Sequence, residues 1–223
     1  VDHLVHRVRN HRFRGVLGIN IGKNFDTPNE QAADDYLVCL EKVYQYADYI
    51  TVNISSPNTK NLRDLQSEDA LDQLLGALAR RREELADKHD RLAPMALKVA
   101  PDLEEGAITA IADVVSRHGM DAVIATNTTI SREAVAGMEH AEDTGGLSGA
   151  PLKEKADQVL GELRKALPAE IAMIGVGGIT RGEDAVDKLK KGADLVQFYT
   201  GMVYRGPELV TECLQAIAEY RGQ

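Results

Sequence analysis

Apolar residues along the chain fall into two alternating patterns. Short runs rich in β-branched and aliphatic residues occur at 16–21 (Val-Leu-Gly-Ile-Asn-Ile), 49–54 (Tyr-Ile-Thr-Val-Asn-Ile), 95–100 (Met-Ala-Leu-Lys-Val-Ala), 122–127 (Ala-Val-Ile-Ala-Thr-Asn), 171–176 (Ile-Ala-Met-Ile-Gly-Val) and 195–200 (Leu-Val-Gln-Phe-Tyr-Thr). Between them lie stretches whose apolar residues recur every three or four positions, the spacing of a one-sided helix. These are 29–46, 71–88, 104–118, 155–167, 182–191 and 208–220, with Gly192 placed as a C-terminal cap of the fifth. Residues 1–9 read as the end of an amphipathic helix, with Leu4, Val5 and Val8 among charges. Strand then helix, repeated six times, predicts parallel βαβ units.

Two architectures accept such units, an open doubly wound sheet and a closed barrel. Nearly every strand here ends in polar residues, and a barrel gathers its strand ends at one mouth, so the barrel is the preferred fold. A TIM (β/α)8 barrel has eight strands and typically about 250 residues. The 223 residues present supply about six βα units, and the abrupt start suggests that the first two are lacking. No linker or low-complexity segment interrupts the series, so residues 1–223 read as one barrel domain, incomplete at its N-terminal side. Six strands would leave two open edges, so the chain alone is expected not to fold stably.

The polar strand ends carry the candidate chemistry. They are Asn20, then Asn53 with Ser55, Ser56 and Asn58, then Lys98, then Thr126, Asn127 and Thr128, then Gly177 and Gly178, and finally Tyr199 and Thr200. A single Asn at a strand end is usually a turn former. Four of them around one mouth suit the edge of a ring bearing C=O and N–H groups, because an amide both donates and accepts. Gly177-Gly178 and Tyr199-Thr200-Gly201 follow the last two strands, where barrels often bind phosphate through backbone N–H groups, although a glycine pair can also be a plain tight turn. Lys98 lies inside an apolar strand. It points either to an anion or electron-rich ring at the mouth or to an ion pair with Asp102. The segment 144–149 (Thr-Gly-Gly-Leu-Ser-Gly) is either a turn or a second backbone approach to a ligand.

Composition narrows the classes. A net charge of −9 argues against nucleic acid. No run approaches the roughly 20 apolar residues of a membrane span, and no signal peptide is visible. Cys39 and Cys213 lack metal-like spacing and fall in helical patterns, where a buried thiol is the simpler reading than a redox role. All six histidines lie in helices or connections, which leaves a Ser-His-Asp mechanism without its base, and no ligand cluster suggests a metal. A phosphate-bearing cofactor doing the chemistry, with the protein orienting the substrate, fits what remains.

Taken in order, 53–59 (Asn-Ile-Ser-Ser-Pro-Asn-Thr), 97–102 (Leu-Lys-Val-Ala-Pro-Asp), 126–129 (Thr-Asn-Thr-Thr), 144–149, 174–178 (Ile-Gly-Val-Gly-Gly) and 196–200 (Val-Gln-Phe-Tyr-Thr) resemble dihydroorotate dehydrogenase, the flavin enzyme of pyrimidine (UMP) biosynthesis. Serine at position 56, where the soluble classes carry cysteine, resembles the membrane-associated, quinone-reducing class. The resemblance implies FMN contacts at Asn20, Asn53, Lys98, Thr126, Gly149, Gly178, Tyr199 and Thr200. It implies that the dihydroorotate ring meets Asn53, Asn58, Asn127 and Thr128. Ser56 would remove the C5 proton while hydride passes from C6 to FMN, and a quinone would reoxidise the flavin. The quinone-binding, membrane-facing segment would precede Val1, and the protein would sit peripherally on the cytoplasmic face of a bacterial membrane. One departure lies in the loop after Asn58, where the family's Asn-Thr-Pro-Gly-Leu-Arg reads Asn58-Thr-Lys-Asn-Leu-Arg63. Asn61 can still make the turn, since Asn tolerates a left-handed backbone. The rival readings are another FMN barrel oxidoreductase, which would carry cysteine at the base position, and a non-catalytic barrel that binds a phosphate ligand.

Overall fold

The computed structural model describes residues 1–222. After helix α1 (Asp2–Arg9), the chain alternates strand and helix: β1 (Gly18–Ile21), α2 (Ala32–Val43), β2 (Tyr49–Asn53), α3 (Glu68–His89), β3 (Met95–Val99), α4 (Ala107–Arg117), β4 (Ala122–Ala125), α5 (Lys153–Ala166), β5 (Ala172–Val176), α6 (Gly182–Lys190), β6 (Leu195–Gln197), α7 (Thr200–Arg205) and α8 (Glu208–Arg221). Among the described residues the six strands form one sheet in sequence order, every neighbouring pair parallel. The sheet curls into a partial barrel with helices on its convex side and with β1 and β6 as free edges.

Strand register divides the residues between two faces. The pairs Asn20–Thr51, Asn53–Lys98, Lys98–Ile124, Ile124–Ile174 and Val176–Gln197 lie level across the sheet. Successive side chains on a strand point to opposite faces. One face therefore carries Gly18, Asn20, Tyr49, Thr51, Asn53, Ala96, Lys98, Ala122, Ile124, Ala172, Ile174, Val176, Leu195 and Gln197, and this is the concave one. The other carries Ile19, Ile21, Ile50, Val52, Leu97, Val99 and Val123, all buried against α2, α3 and α4 in the main core. Leu71, Leu74, Leu75 and Leu78 of α3 and Tyr36, Leu40 and Val43 of α2 supply the helical side of that core. At about 25 cal/mol per Å² of apolar surface, this convex-side core is the chief source of stability.

The structure shortens several strands read from the sequence. The run 195–200 is strand only to Gln197, and Thr200 begins α7. Gly201 explains the turn: a Cβ there would sit 2.2 Å from the Ile179 carbonyl oxygen, so the chain dives against the loop after β5 instead of extending. Residues 29–31 form a 3-10 turn ahead of α2, and the run at 122–127 leaves the sheet after Ala125. Gly192 follows α6 with φ +100°, the left-handed region expected after a helix end.

Candidate active site

Two groups of side chains meet at the C-terminal ends of the strands. The first lines a cavity of about 360 Å³ between β3, β4, β5 and β6, within the range of small-molecule sites. Lys98, Thr126, Asn127, Thr128, Gly149, Gly178, Tyr199 and Thr200 all border it, so eight positions singled out from the sequence converge on one space. Lys98 is the single ammonium in its lining. Among the described residues its side-chain nitrogen forms no ion pair and no hydrogen bond, and burial pulls its pKa below the ordinary lysine value. The ion-pair alternative with Asp102 fails, because Asp102 is committed elsewhere: Arg63 Nη1 reaches it at 2.8 Å and Lys155 Nζ at 2.5 Å. An unpartnered, half-buried ammonium facing a cavity is a site for an anion or an electron-rich ring.

The glycine pair after β5 forms the cavity wall. Gly177 and Gly178 have φ +105° and +77°, a backbone path that favours glycine. A Cβ on Gly178 would lie 2.8 Å from the backbone nitrogen of Lys153, so this glycine also lets the start of α5 close on the turn. The turn and ligand readings are thus compatible. Segment 144–149 crosses the mouth and is pinned there by an antiparallel bridge, Thr129 N to Leu147 O at 3.0 Å and Leu147 N to Thr129 O at 2.8 Å. The Thr200 hydroxyl donates to Ser148 Oγ at 2.9 Å, joining this segment to the start of α7. Tyr199 borders the cavity, yet the residue as a whole is 81% exposed.

The second group is an amide–hydroxyl network at the ends of β2 and β4. Asn53 Oδ1 accepts from the Ser55 hydroxyl at 2.8 Å, the Ser55 N–H at 3.2 Å and Asn127 Nδ2 at 3.3 Å. Asn127 Nδ2 also donates to Ser55 Oγ at 3.1 Å, and Asn127 Oδ1 accepts from the Thr128 N–H at 2.8 Å. Tyr36, buried on the convex side, donates its hydroxyl to the Asn53 carbonyl at 2.7 Å and anchors the strand end. Ser55 is fully buried in this network, whereas Ser56 is half-exposed and its Oγ accepts only from the Asn58 N–H, at 3.2 Å. Thr128 Oγ1 is buried without a partner among the described residues, an orphaned donor at the join of the two groups. Asn127 and Thr128 belong to both groups, which makes the cavity and the amide network one continuous site.

Four of the expected positions lie outside the cavity lining: Asn53 and Ser56, described above, and Asn20 and Asn58. Asn20 is exposed on the concave side of edge strand β1, level with Thr51. Asn58 is exposed in the loop beyond Ser56 and faces Gly145 of the crossing segment, where a Cβ would lie 3.4 Å from its Oδ1. Asn61 adopts φ 55°, ψ 14°, the left-handed turn expected where the family has Pro-Gly. Arg63, Thr129 and Lys155 escaped sequence reasoning. They converge on Asp102, which also accepts from the Thr129 hydroxyl at 2.6 Å and the Ile130 N–H at 2.9 Å. Burial alone would raise the Asp102 pKa, but the bonds from Lys155, Thr129, the Ile130 N–H and Arg63 outweigh it and hold the carboxyl down at about 2.

Comparison with known proteins places these residues in context. The family model for dihydroorotate dehydrogenase matches residues 1–220. The curated dihydroorotate dehydrogenase (quinone) of Thiobacillus denitrificans is 58% identical over 219 residues, which is 98% of this chain and 65% of that protein. The corresponding protein of an Azoarcus species is 59% identical over 220 residues, 99% of this chain and 65% of its own length. Among solved structures, the crystal structure of the Eimeria tenella enzyme DHODH in complex with ferulenol matches with a TM-score of 0.87 at 36% identity, covering 98% of this chain and 61% of that one. The chain thus spans just under two thirds of the length of the two curated relatives.

Proposed function

This chain belongs to the dihydroorotate dehydrogenase family, and from that premise we propose that it forms the FMN- and substrate-binding barrel domain of an enzyme oxidising dihydroorotate to orotate in pyrimidine biosynthesis. The single observation that carries the reading is the continuity between the Lys98 cavity and the Asn53–Ser55–Asn127 network, with Ser56 next in the chain to Ser55.

The residues present fit FMN on two counts. Lys98 offers an ammonium that no group among the described residues neutralises, suited to an electron-rich flavin ring. The turn at Gly177–Gly178 presents backbone without side chains, and Thr200 adds a hydroxyl, as a phosphate needs. Asn53, Thr126, Gly149 and Tyr199 complete the proposed cradle, and Asn20 would join it from the edge strand. Held by these residues, FMN would supply a hydride acceptor facing C6 of the substrate and a carrier of electrons to a quinone.

The protein's own part is orientation and proton removal. Asn53, Asn58, Asn127 and Thr128 supply amide and hydroxyl groups for the carbonyls and N–H groups of a dihydropyrimidine ring. Thr128 Oγ1 lacks a partner among the described residues and can turn its hydrogen toward a ligand. Ser56 Oγ takes the C5 proton as the C6 hydride leaves, which forms the C5=C6 double bond. A serine is a weak base at neutral pH, so its own proton must pass onward to solvent as the transfer occurs. Its half-exposed position supports that route.

Quinone reduction and peripheral attachment to the cytoplasmic face of a bacterial membrane are proposed from the class its relatives are named for. Among the described residues no helix is long and apolar enough to cross a membrane. Anaerobic titration of the full-length flavoprotein tests the core of the reading: dihydroorotate should bleach the flavin absorbance and dihydrouracil should not. An unbleached flavin with dihydroorotate would overturn it.

A further inference from the structure

Arg63 lies outside the cavity lining, yet it joins the two loops that carry the proposed base and the proposed substrate amides. Its Nε donates to the Ser55 carbonyl at 3.2 Å, its Nη2 to the Thr128 carbonyl at 2.8 Å, and its Nη1 to Asp102 Oδ2 at 2.8 Å. Ser55 is the neighbour of Ser56, and Thr128 is the neighbour of Asn127. The two acceptor carbonyls are 73 residues apart in sequence, on the loops after β2 and β4. Asp102, from the loop after β3 between them, is fixed in turn by Lys155 of α5, the Thr129 hydroxyl and the Ile130 N–H. Gln66 braces the other side, accepting from the Ala100 N–H at 2.9 Å and donating to the Arg63 carbonyl at 3.4 Å. The side chains of Arg63 and Asp102 are 17% and 14% exposed, so the pair is largely shielded from the screening that weakens surface ion pairs.

We infer that Arg63 is a positioning residue: seated on Asp102, its guanidinium sets the spacing between the loop bearing Ser56 and the loop bearing Asn127 and Thr128. The inference rests on the function proposed above for the identity of the ligand, but not for the geometry. A guanidinium is a rigid planar fork with donors pointing three ways, and it can hold two backbone carbonyls and a carboxylate at once. A lysine ammonium is a point charge on a flexible stem and cannot span those three acceptors. A misplacement of about 1 Å in a reacting group can cost on the order of 100-fold in rate.

The test uses the full-length holoenzyme with Arg63→Lys, which keeps the charge beside Asp102, and Arg63→Ala, which leaves a space for added guanidinium ion. Both variants are expected to retain flavin. Single-turnover flavin reduction at saturating dihydroorotate should fall about 100-fold in Arg63→Lys. Millimolar guanidinium should restore part of the rate in Arg63→Ala but none in Ser56→Ala. Amide hydrogen exchange should quicken in residues 55–59 and 127–131 of Arg63→Lys and stay native elsewhere. That readout needs no substrate, so it judges the clamp even if dihydroorotate fails to reduce the native flavin, the outcome that would sink the proposed function. Arg63→Lys with native exchange in both loops and a reduction rate within about twofold of native would overturn the inference. If Arg63→Ala does not fold, the lysine variant decides.

Discussion

Ser55 Oγ accepts a hydrogen bond from Asn127 Nδ2 at 3.1 Å and donates to Asn53 Oδ1 at 2.8 Å, which commits the first of two adjacent serines to the scaffold and leaves the second, Ser56, outside that network. Neighbours in sequence should therefore fail in opposite ways. Ser55→Ala strips a buried hydroxyl from two amides and should cost about 1–3 kcal/mol of stability, seen as a lowered thermal midpoint. Ser56→Ala should leave stability within about 0.5 kcal/mol of native, as expected of a half-exposed side chain. Its rate of flavin reduction should collapse, while Ser56→Cys keeps some activity and the native rate rises with pH. A stopped-flow trace in which Ser56→Ala reduces flavin at the native rate would refute its assignment as base.

Lys98 illustrates the conflict between stability and binding. Its ammonium is held in an apolar strand with no partner among the described residues, and burial lowers its pKa. Lys98→Met removes an uncompensated charge and preserves volume. It should stabilise the flavin-free protein by about 1–2 kcal/mol while weakening FMN binding. Thermal melts of the apoprotein and fluorescence titration with FMN separate the two effects. A variant that loses stability and keeps flavin affinity would reverse the assignment.

Asp102 provides a pH signature. Its carboxyl is held at about 2, below its ordinary value, so the native state favours the ionised form. That contribution is fully present above the ordinary carboxylate pKa of about 3.9 and is lost as pH falls through about 2. Denaturant unfolding between pH 5 and pH 2 should show native stability falling toward that of Asp102→Asn as the acid is approached. Equal slopes for the two proteins would mean that the carboxylate contributes nothing specific.

The free edges at β1 and β6 bear on the fold as a whole. The concave face leaves Leu195 60% exposed and Val16, just before β1, 75% exposed, and both edge strands present unpaired backbone groups. Residues 1–223 expressed alone should elute as soluble aggregate or unfold without a cooperative transition. A monomer with one sharp calorimetric transition and bound flavin would contradict this.

The alternation of runs and periodic stretches made the order and direction of the strands readable, because one-sided burial leaves a spacing that survives in any sequence. The polar strand ends were readable for the same reason: Lys98 and Asn53 interrupt apolar runs where nothing in a core calls for them. Strand lengths were less so. The sheet releases β6 after Gln197 because Gly201 packs against the Ile179 carbonyl, a contact between distant segments that no local pattern records. Arg63 was missed for a related reason, and Asp102, read only as a possible partner of Lys98, was given the wrong cation. Charged residues in loops are ordinarily solvated, and only the fold brings the Ser55 and Thr128 carbonyls within reach of one guanidinium. The left-handed turn at Asn61 was foreseeable, since few side chains tolerate that backbone.

The level pairing of Asn53 with Lys98 and of Lys98 with Ile124 places the site under a rule like that of a reading frame. Mouth-facing and core-facing residues occupy alternate positions, so losing one residue from β3 would send Leu97 or Val99 to the ligand and drive Lys98 toward the leucines of α3. Single-residue deletions in the strands should therefore be far more damaging than substitutions at the same positions. Length changes in the connections on the opposite end of the sheet should pass with little effect on the ligand site.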